Sequence, residues 1–129
     1  MKYINKNLTI EKVKIVDIVK KFGTPIYCYS YRQLKENISN FKKSFSSFDP
    51  LVCFAIKSNT NLNLIREIRK LGLGADVVSI GELMMALKAG IDPKKIVFSG
   101  VGKTSNEISY AIDKEILLIN AESKSEINE

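Results

Sequence analysis

The 129-residue sequence is 45% hydrophobic and 26% charged, the balance of a globular chain. No apolar run nears the roughly 20 residues that span a bilayer, and the polar start MKYINKN lacks the apolar stretch of a secretory leader, so a cytoplasmic location without a membrane partner is expected. The net charge of +6 comes from Lys and Arg scattered over helical stretches, which reads as solvated faces and not a nucleic-acid surface; the absence of histidine removes the commonest general base and metal ligand, so no metal site is expected.

In chain order, Thr9 reads as the cap of a first helix whose apolar positions Val13, Val16, Val19 and Phe22 repeat at helical spacing, with Gly23 and Pro25 ending it. IYCYS, residues 26–30, reads as a strand. Tyr31, Leu34, Ile38, Phe41 and Phe45 then step by three and four, the pattern of a helix with one buried stripe, before the polar turn FSSFDP. These elements define a lead-in of residues 1–30 and a following body of residues 31–129.

From Leu51 the chain alternates: strand LVCFAI, helix from about Asn61 to Leu71, strand ADVV, helix from about Ile80 to Ala89, strand KIVFSG, helix from about Ser105 to Asp113, strand ILLIN, and a last helix starting at Ser123. Cys28 and Cys53 each lie in an apolar run and read as buried thiols of a reducing compartment, not a disulfide. Short apolar strands alternating with amphipathic helices imply an α/β fold of parallel strands joined by right-handed crossovers. That pattern fits either a doubly wound open sheet or part of an eight-stranded barrel. The turn KSNTN lacks the G-x-G-x-x-G of a dinucleotide site, and GVGKT is too short for a P-loop.

Lys57 follows an apolar strand, at the rim where α/β enzymes place their sites. Alternation puts Cys53, Ala55 and Lys57 on one face and Val52, Phe54 and Ile56 on the other, leaving small neighbours around the lysine. A desolvated lysine has a lowered pKa, and its neutral amine can form a Schiff base. Spacing alone nevertheless favours an ordinary strand-end lysine reaching solvent. Asp76, inside ADVV, either faces water at a strand end or approaches Lys57 from the neighbouring strand. Ser79 and Glu82 have the S-x-x-E spacing of a capping box. Ser99, Gly100, Gly102, Lys103 and Thr104 form a polar turn after the next strand, and Asn120 and Glu122 hold the matching place after the last. Polar residues thus end four successive strands, which argues for a site on that rim more strongly than any one residue does.

The segments FGTPIYCYS, CFAIKSNTNLNLI, GADVVSIGEL, ALKAGIDPKKIVFSGVGKT and INAESKSE, in this order, resemble the N-terminal part of diaminopimelate decarboxylases, from about Phe22 to the end of the chain. FAIKSN alone is similar to the wider fold-type III decarboxylases that use pyridoxal 5′-phosphate (PLP). The FGTP lead-in and FSGVGKT resemble the diaminopimelate branch. The resemblance implies the first four or so strands of a PLP-binding (β/α)8 TIM barrel of the alanine-racemase-like type, with a C-terminal β domain lying outside this sequence. It implies decarboxylation of meso-diaminopimelate to L-lysine, with PLP as the electron sink. Lys57 is then the cofactor lysine and Asp76 a catalytic and cofactor-binding acid. Glu82 is a further cofactor-binding acid that also suits a helix cap. A stacking histidine, a glycine-rich phosphate loop, the acid facing the pyridine nitrogen and a partner-subunit cysteine belong to sequence beyond these 129 residues. Since a barrel takes roughly 250 residues, the chain is expected to be an inactive fragment by itself, working in a homodimer or with a complementing C-terminal half. The alternatives are an arginine, ornithine or carboxynorspermidine decarboxylase, a non-enzymatic PLP-binding protein, and a catalytically dead split-gene remnant.

Overall fold

A computed structural model describes all residues from Met1 to Glu129. The chain divides into two compact units, Met1–Ser46 and Ser47–Glu129.

The first unit opens with a three-stranded antiparallel meander where the spacing had suggested the start of a helix. Strands β1 (Lys2–Ile4) and β2 (Asn7–Ile10) are joined by Asn5 and Lys6, with φ of 46° and 62°. A two-residue turn with both φ values positive carries the twist that a hairpin needs. Thr9 is therefore a buried strand residue and no cap: its hydroxyl donates to the Lys2 carbonyl at 2.9 Å. Strand β3 (Val13–Lys14) pairs back onto β2, and helix α1 (Ile15–Phe22) begins only after it. Valines spaced by three imitated a longer helix, and a two-residue strand is too short to show its own period. Gly23, at φ 80°, closes α1 by donating its N–H to the Val19 carbonyl at 2.8 Å.

Residues 26–30 form no strand, since no neighbouring chain pairs with them. Their polar end serves the next helix, α2 (Tyr31–Ser44): the Ser30 hydroxyl accepts the Gln33 N–H at 3.1 Å. The same hydroxyl donates to the Glu11 carboxylate at 2.7 Å, and the Arg32 N–H reaches that carboxylate at 2.8 Å, tying the β2–β3 turn to the start of α2. These hydrogen bonds, that of the Arg32 backbone foremost, hold the Glu11 pKa below its ordinary value. The α2 stripe is present as spaced but not buried. Leu34 and Ile38 are half-buried, while Tyr31, Phe41 and Phe45 are exposed, the last two with ring centroids 5.1 Å apart.

The second unit is a parallel sheet of β4 (Cys53–Ala55), β5 (Gly74–Val77), β6 (Ile96–Phe98) and β7 (Leu118–Ile119), in sequence order. Helices α3 (Leu62–Lys70), α4 (Ile80–Lys88) and α5 (Ser105–Asp113) make the crossovers, and α6 (Lys124–Asn128) follows β7. Ala55, Asp76, Val97 and Leu118 lie in one cross-strand row, so each βα unit advances the chain by 21 residues. This constant step is a structural repeat without a sequence repeat. The unreversed strand order is that of a barrel wall; a doubly wound sheet reverses direction at a switch point.

Large side chains fill the helix-facing layer. Ile56, Ala75, Val77, Ile96 and Phe98 from the sheet side meet Ile65, Leu83, Ala86 and Ala111 from the helices, all fully buried, with Phe54 packed against them. The opposite face carries Cys53, Ala55, Asp76 and Val97, all half-buried. Gly74 sits on that face because a Cβ there would collide with the Lys95 carbonyl oxygen. Cys28 and Cys53 are free thiols, half-buried and not fully enclosed. No helix is long and apolar enough to cross a membrane.

Candidate active site

Strand β4 ends at Ala55, and Ile56–Ser58 form a single 3-10 turn closed by the Asn59 N–H on the Ile56 carbonyl at 3.0 Å. This turn drives Ile56 into the core and leaves Lys57 exposed at the C-terminal rim of the sheet. Lys57 makes no ion pair. Cys53 and Ala55, both small, lie on the face of β4 away from the core, and the alternation that would have carried Lys57 onto that face ends where the 3-10 turn begins.

Asp76 occupies the neighbouring strand, paired across from Ala55, two residues short of Lys57. Its carboxylate is engaged from β6: Oδ1 accepts the Ser99 hydroxyl at 2.6 Å. The Ser99 oxygen in turn accepts from Asn120 Nδ2 at 3.0 Å. Asp76, Ser99 and Asn120 thus form a polar chain across β5, β6 and the end of β7. On the other side, burial, with the Asp76 charge added, pushes the Cys53 thiol pKa up, so Cys53 is a poor thiolate.

Glu82 lies in the first turn of α4, whose start Ser79 caps by accepting the Glu82 N–H at 3.3 Å. One Glu82 oxygen accepts the Val78 N–H at 3.0 Å, so the carboxylate braces the loop after β5. This is a variant of the capping box that the S-x-x-E spacing predicts, displaced by one residue from the cap's own N–H.

The same spacing recurs twice more, at Thr104–Glu107 and Ser123–Glu126, and each glutamate stitches two loops. Glu107 completes a full capping box with Thr104 and also accepts the Ile80 N–H at 3.1 Å, the first residue of α4. Backbone hydrogen bonds from Thr104 and then Ile80 lower its pKa. Glu126 accepts the Glu122 N–H at 2.6 Å and the Lys103 ammonium at 3.1 Å, and these two contacts lower its pKa in that order.

Lys103 is the residue whose environment spacing did not reveal. Its side chain is 2% exposed, and its ammonium donates to the Gly100 carbonyl at 2.6 Å, the Asn120 carbonyl at 2.7 Å and Glu126. Three protons meet three acceptors, the condition under which a buried lysine is tolerated. The repeated [ST]-x-x-E was the readable signal for Glu107 and Glu126. Nothing local marked Lys103, because two of its three acceptors lie in the following βα loop and helix, 17 and 23 residues on. Of the other rim residues, Thr104 caps α5, Gly100 and Gly102 hold positive φ of 94° and 72°, and Glu122 contributes its backbone N–H.

The family model for the pyridoxal-binding domain of pyridoxal-dependent decarboxylases matches residues 31–129. The diaminopimelate decarboxylase of Aquifex aeolicus is 44% identical over 128 residues, 99% of this chain and 30% of that protein. That of Vibrio cholerae is 42% identical over 120 residues, 93% of this chain and 29% of its own length. Among solved structures, Helicobacter pylori diaminopimelate decarboxylase complexed with L-lysine superposes with a TM-score of 0.85 at 42% identity, covering 89% of this chain and 29% of that one. A viral arginine decarboxylase, 20% identical with a TM-score of 0.78, shares the fold. The chain therefore spans about 30% of the length of the curated relatives it matches, and its four strands are the first part of the fold-type III (β/α)8 barrel. With the sheet order, the lysine rim and the family model in agreement, this chain belongs to the pyridoxal-dependent decarboxylases, as part of their pyridoxal-binding domain.

Proposed function

We propose that this chain supplies the lysine-bearing wall of a diaminopimelate decarboxylase, which converts meso-diaminopimelate to L-lysine and CO2, with the remaining barrel strands and the C-terminal β domain coming from further polypeptide and the active form a homodimer. The observation that carries the reading is the exposed Lys57 amine, free of any ion pair, at the C-terminal rim of a barrel wall, with Asp76 on the adjoining strand. The 42–46% identity to the curated diaminopimelate decarboxylases supports that substrate within the family.

The donor set fits PLP: a primary amine able to bond covalently with the cofactor's carbonyl carbon, small residues beside it, and a nearby carboxylate. When bound, PLP supplies an electron sink for the charge left on carbon as CO2 departs. Lys57 would hold the cofactor through its amine, and that same amine is the group placed at the rim to move a proton. Asp76, across from Ala55 and oriented by Ser99, places a carboxylate on the strand beside the Lys57 turn. Glu82 lends its carboxylate at the rim while one oxygen keeps the loop after β5 braced at Val78.

Borohydride reduction of the PLP-treated chain, followed by peptide mass spectrometry, is expected to leave the phosphopyridoxyl group on Lys57. Labelling on another lysine, or on none, overturns the assignment.

A further inference from the structure

Lys57 and Asp76 pose a problem of charge. A lysine attacks a carbonyl only as the neutral amine, and a carboxylate in ion-pair contact holds it protonated by raising its pKa. Asp76 is paired with Ala55, and Lys57 follows two residues later in the 3-10 turn that ends β4, so the two groups stand at neighbouring positions on the rim. The flexible lysine stem can cross between them. Yet the two groups make no ion pair, and Asp76 Oδ1 takes the Ser99 hydroxyl at 2.6 Å.

The direction of that hydrogen bond is itself controlled. A serine hydroxyl has one proton to give. Asn120 Nδ2 donates to the Ser99 oxygen at 3.0 Å, which leaves the Ser99 proton for Asp76. Asn120 is held at both backbone groups: its N–H donates to the Phe98 carbonyl at 2.9 Å, and its carbonyl accepts the Lys103 ammonium at 2.7 Å. Lys103 is fixed by Glu126 in turn. A continuous set of contacts thus runs from α6 across the rim to the Asp76 carboxylate.

We propose that Ser99 and Asn120 are positioning residues that engage the Asp76 carboxylate and hold it off Lys57, keeping the amine free of an anionic partner that would protonate it. This rests on the reading of Lys57 as the cofactor lysine. Among the other rim groups, Cys53 on β4 is held protonated, Glu82 at the start of α4 braces Val78, the Lys103 charge is met by Glu126, and Glu122 lies exposed after β7; the charged residues Arg66, Glu67, Arg69 and Lys70 of α3 and Lys88 of α4 lie on the helices. Asp76 is the carboxylate on the strand that adjoins Lys57, and so the one to be directed.

The test measures the rate at which acetic anhydride acylates Lys57 as pH varies, in the whole cofactor-free chain, with exposed Lys88 in the same digest as the reference. The neutral amine attacks an acyl carbon, giving an amide and releasing acetate and a proton. Ser99→Ala is expected to raise the midpoint of the rate–pH curve by about one unit, making acylation below the midpoint about tenfold slower. Asn120→Ala, at an exposed position whose backbone hydrogen bonds the substitution leaves in place, is expected to raise it by a smaller amount, and Ser99→Thr to restore the parent value. In an Asp76→Asn background, Ser99→Ala is expected to shift nothing. A midpoint that stays or falls in both alanine variants overturns the proposal, as does an upward shift that persists without Asp76. Borohydride trapping with PLP is run in parallel: a midpoint shift without a Lys57 adduct sinks the cofactor reading alone, whereas an adduct without the shift sinks the relay alone.

Discussion

The two units of the chain handle their apolar residues in opposite ways. In Ser47–Glu129, sheet and helices close over a cluster that includes Ile56, Ile65, Leu83, Ile96 and Phe98, all with no exposed surface, so the unit has a core of its own. In Met1–Ser46 only Thr9 and Ile10 are buried, while Tyr27, Tyr29, Phe22 and Phe41 stand largely open. A βα repeat buries one sheet face simply by folding its crossover helices onto that face. A short meander with two helices has too little surface to do the same and relies on hydrogen bonds such as those to Glu11. Large exposed apolar patches mark surfaces that other protein covers, in keeping with a chain that spans about 30% of its relatives.

The largest effect expected from this contrast comes from Phe98→Ala. Phe98 is the largest fully buried side chain, and truncating a core phenylalanine costs about 3–5 kcal/mol, a large part of the stability of a small domain. Urea unfolding should register the loss, and hydrogen exchange should place it in β4–β7 with β1–β3 unaffected. Equal loss of protection in the meander would show one cooperative unit and end the comparison.

Acid offers a second, smaller lever. Glu107 and Glu126 in the second unit and Glu11 in the first all have folded pKa values below the ordinary 4.5. Their contributions are therefore complete above that ordinary value and are lost as pH falls through the lower folded values. Both units should weaken in acid. Glu107→Gln should flatten the acid limb of unfolding for β4–β7 alone, and Glu11→Gln that of the meander alone, as read by exchange at a series of pH values. Either variant altering both limbs would contradict the division.

Legibility in the sequence followed the same divide. The strand and helix rhythm after Leu51 could be read because its periods of two and 3.6 repeat over enough residues, and Lys57, Asp76 and Glu82 stand at the strand ends and helix start where that rhythm placed them. The meander could not. Three strands of two to four residues carry too few alternations, and Asn5–Lys6, the turn that makes the hairpin, lacks the glycine that usually signals one. Tyr31, Phe41 and Phe45 were spaced for burial, but periodicity reports which side of a helix is apolar and says nothing of whether a partner covers it. Lys103 was hidden for a further reason: a lysine in a polar turn reads as solvated, and its burial depends on Asn120 and Glu126, which only the fold brings to it.

The smallest effect concerns helix caps, and it tests whether the second unit is stitched between its loops as well as packed. Losing a serine or threonine cap costs about 1 kcal/mol. Thr104→Ala and Ser30→Ala should each show a loss of that order in denaturant unfolding. Their reach should differ. The Thr104 hydroxyl holds Glu107, and the other Glu107 oxygen accepts the Ile80 N–H at the start of α4, so Thr104→Ala should speed exchange at Ile80 as well as in the first turn of α5. Ser30→Ala frees Glu11 from its hydroxyl but leaves the Arg32 N–H in place, so its effect should stop at α2 and the β2–β3 turn. Exchange at Ile80 unchanged in Thr104→Ala would mean that Glu107 keeps its place without the box, and that the loops of the barrel wall are held by packing alone.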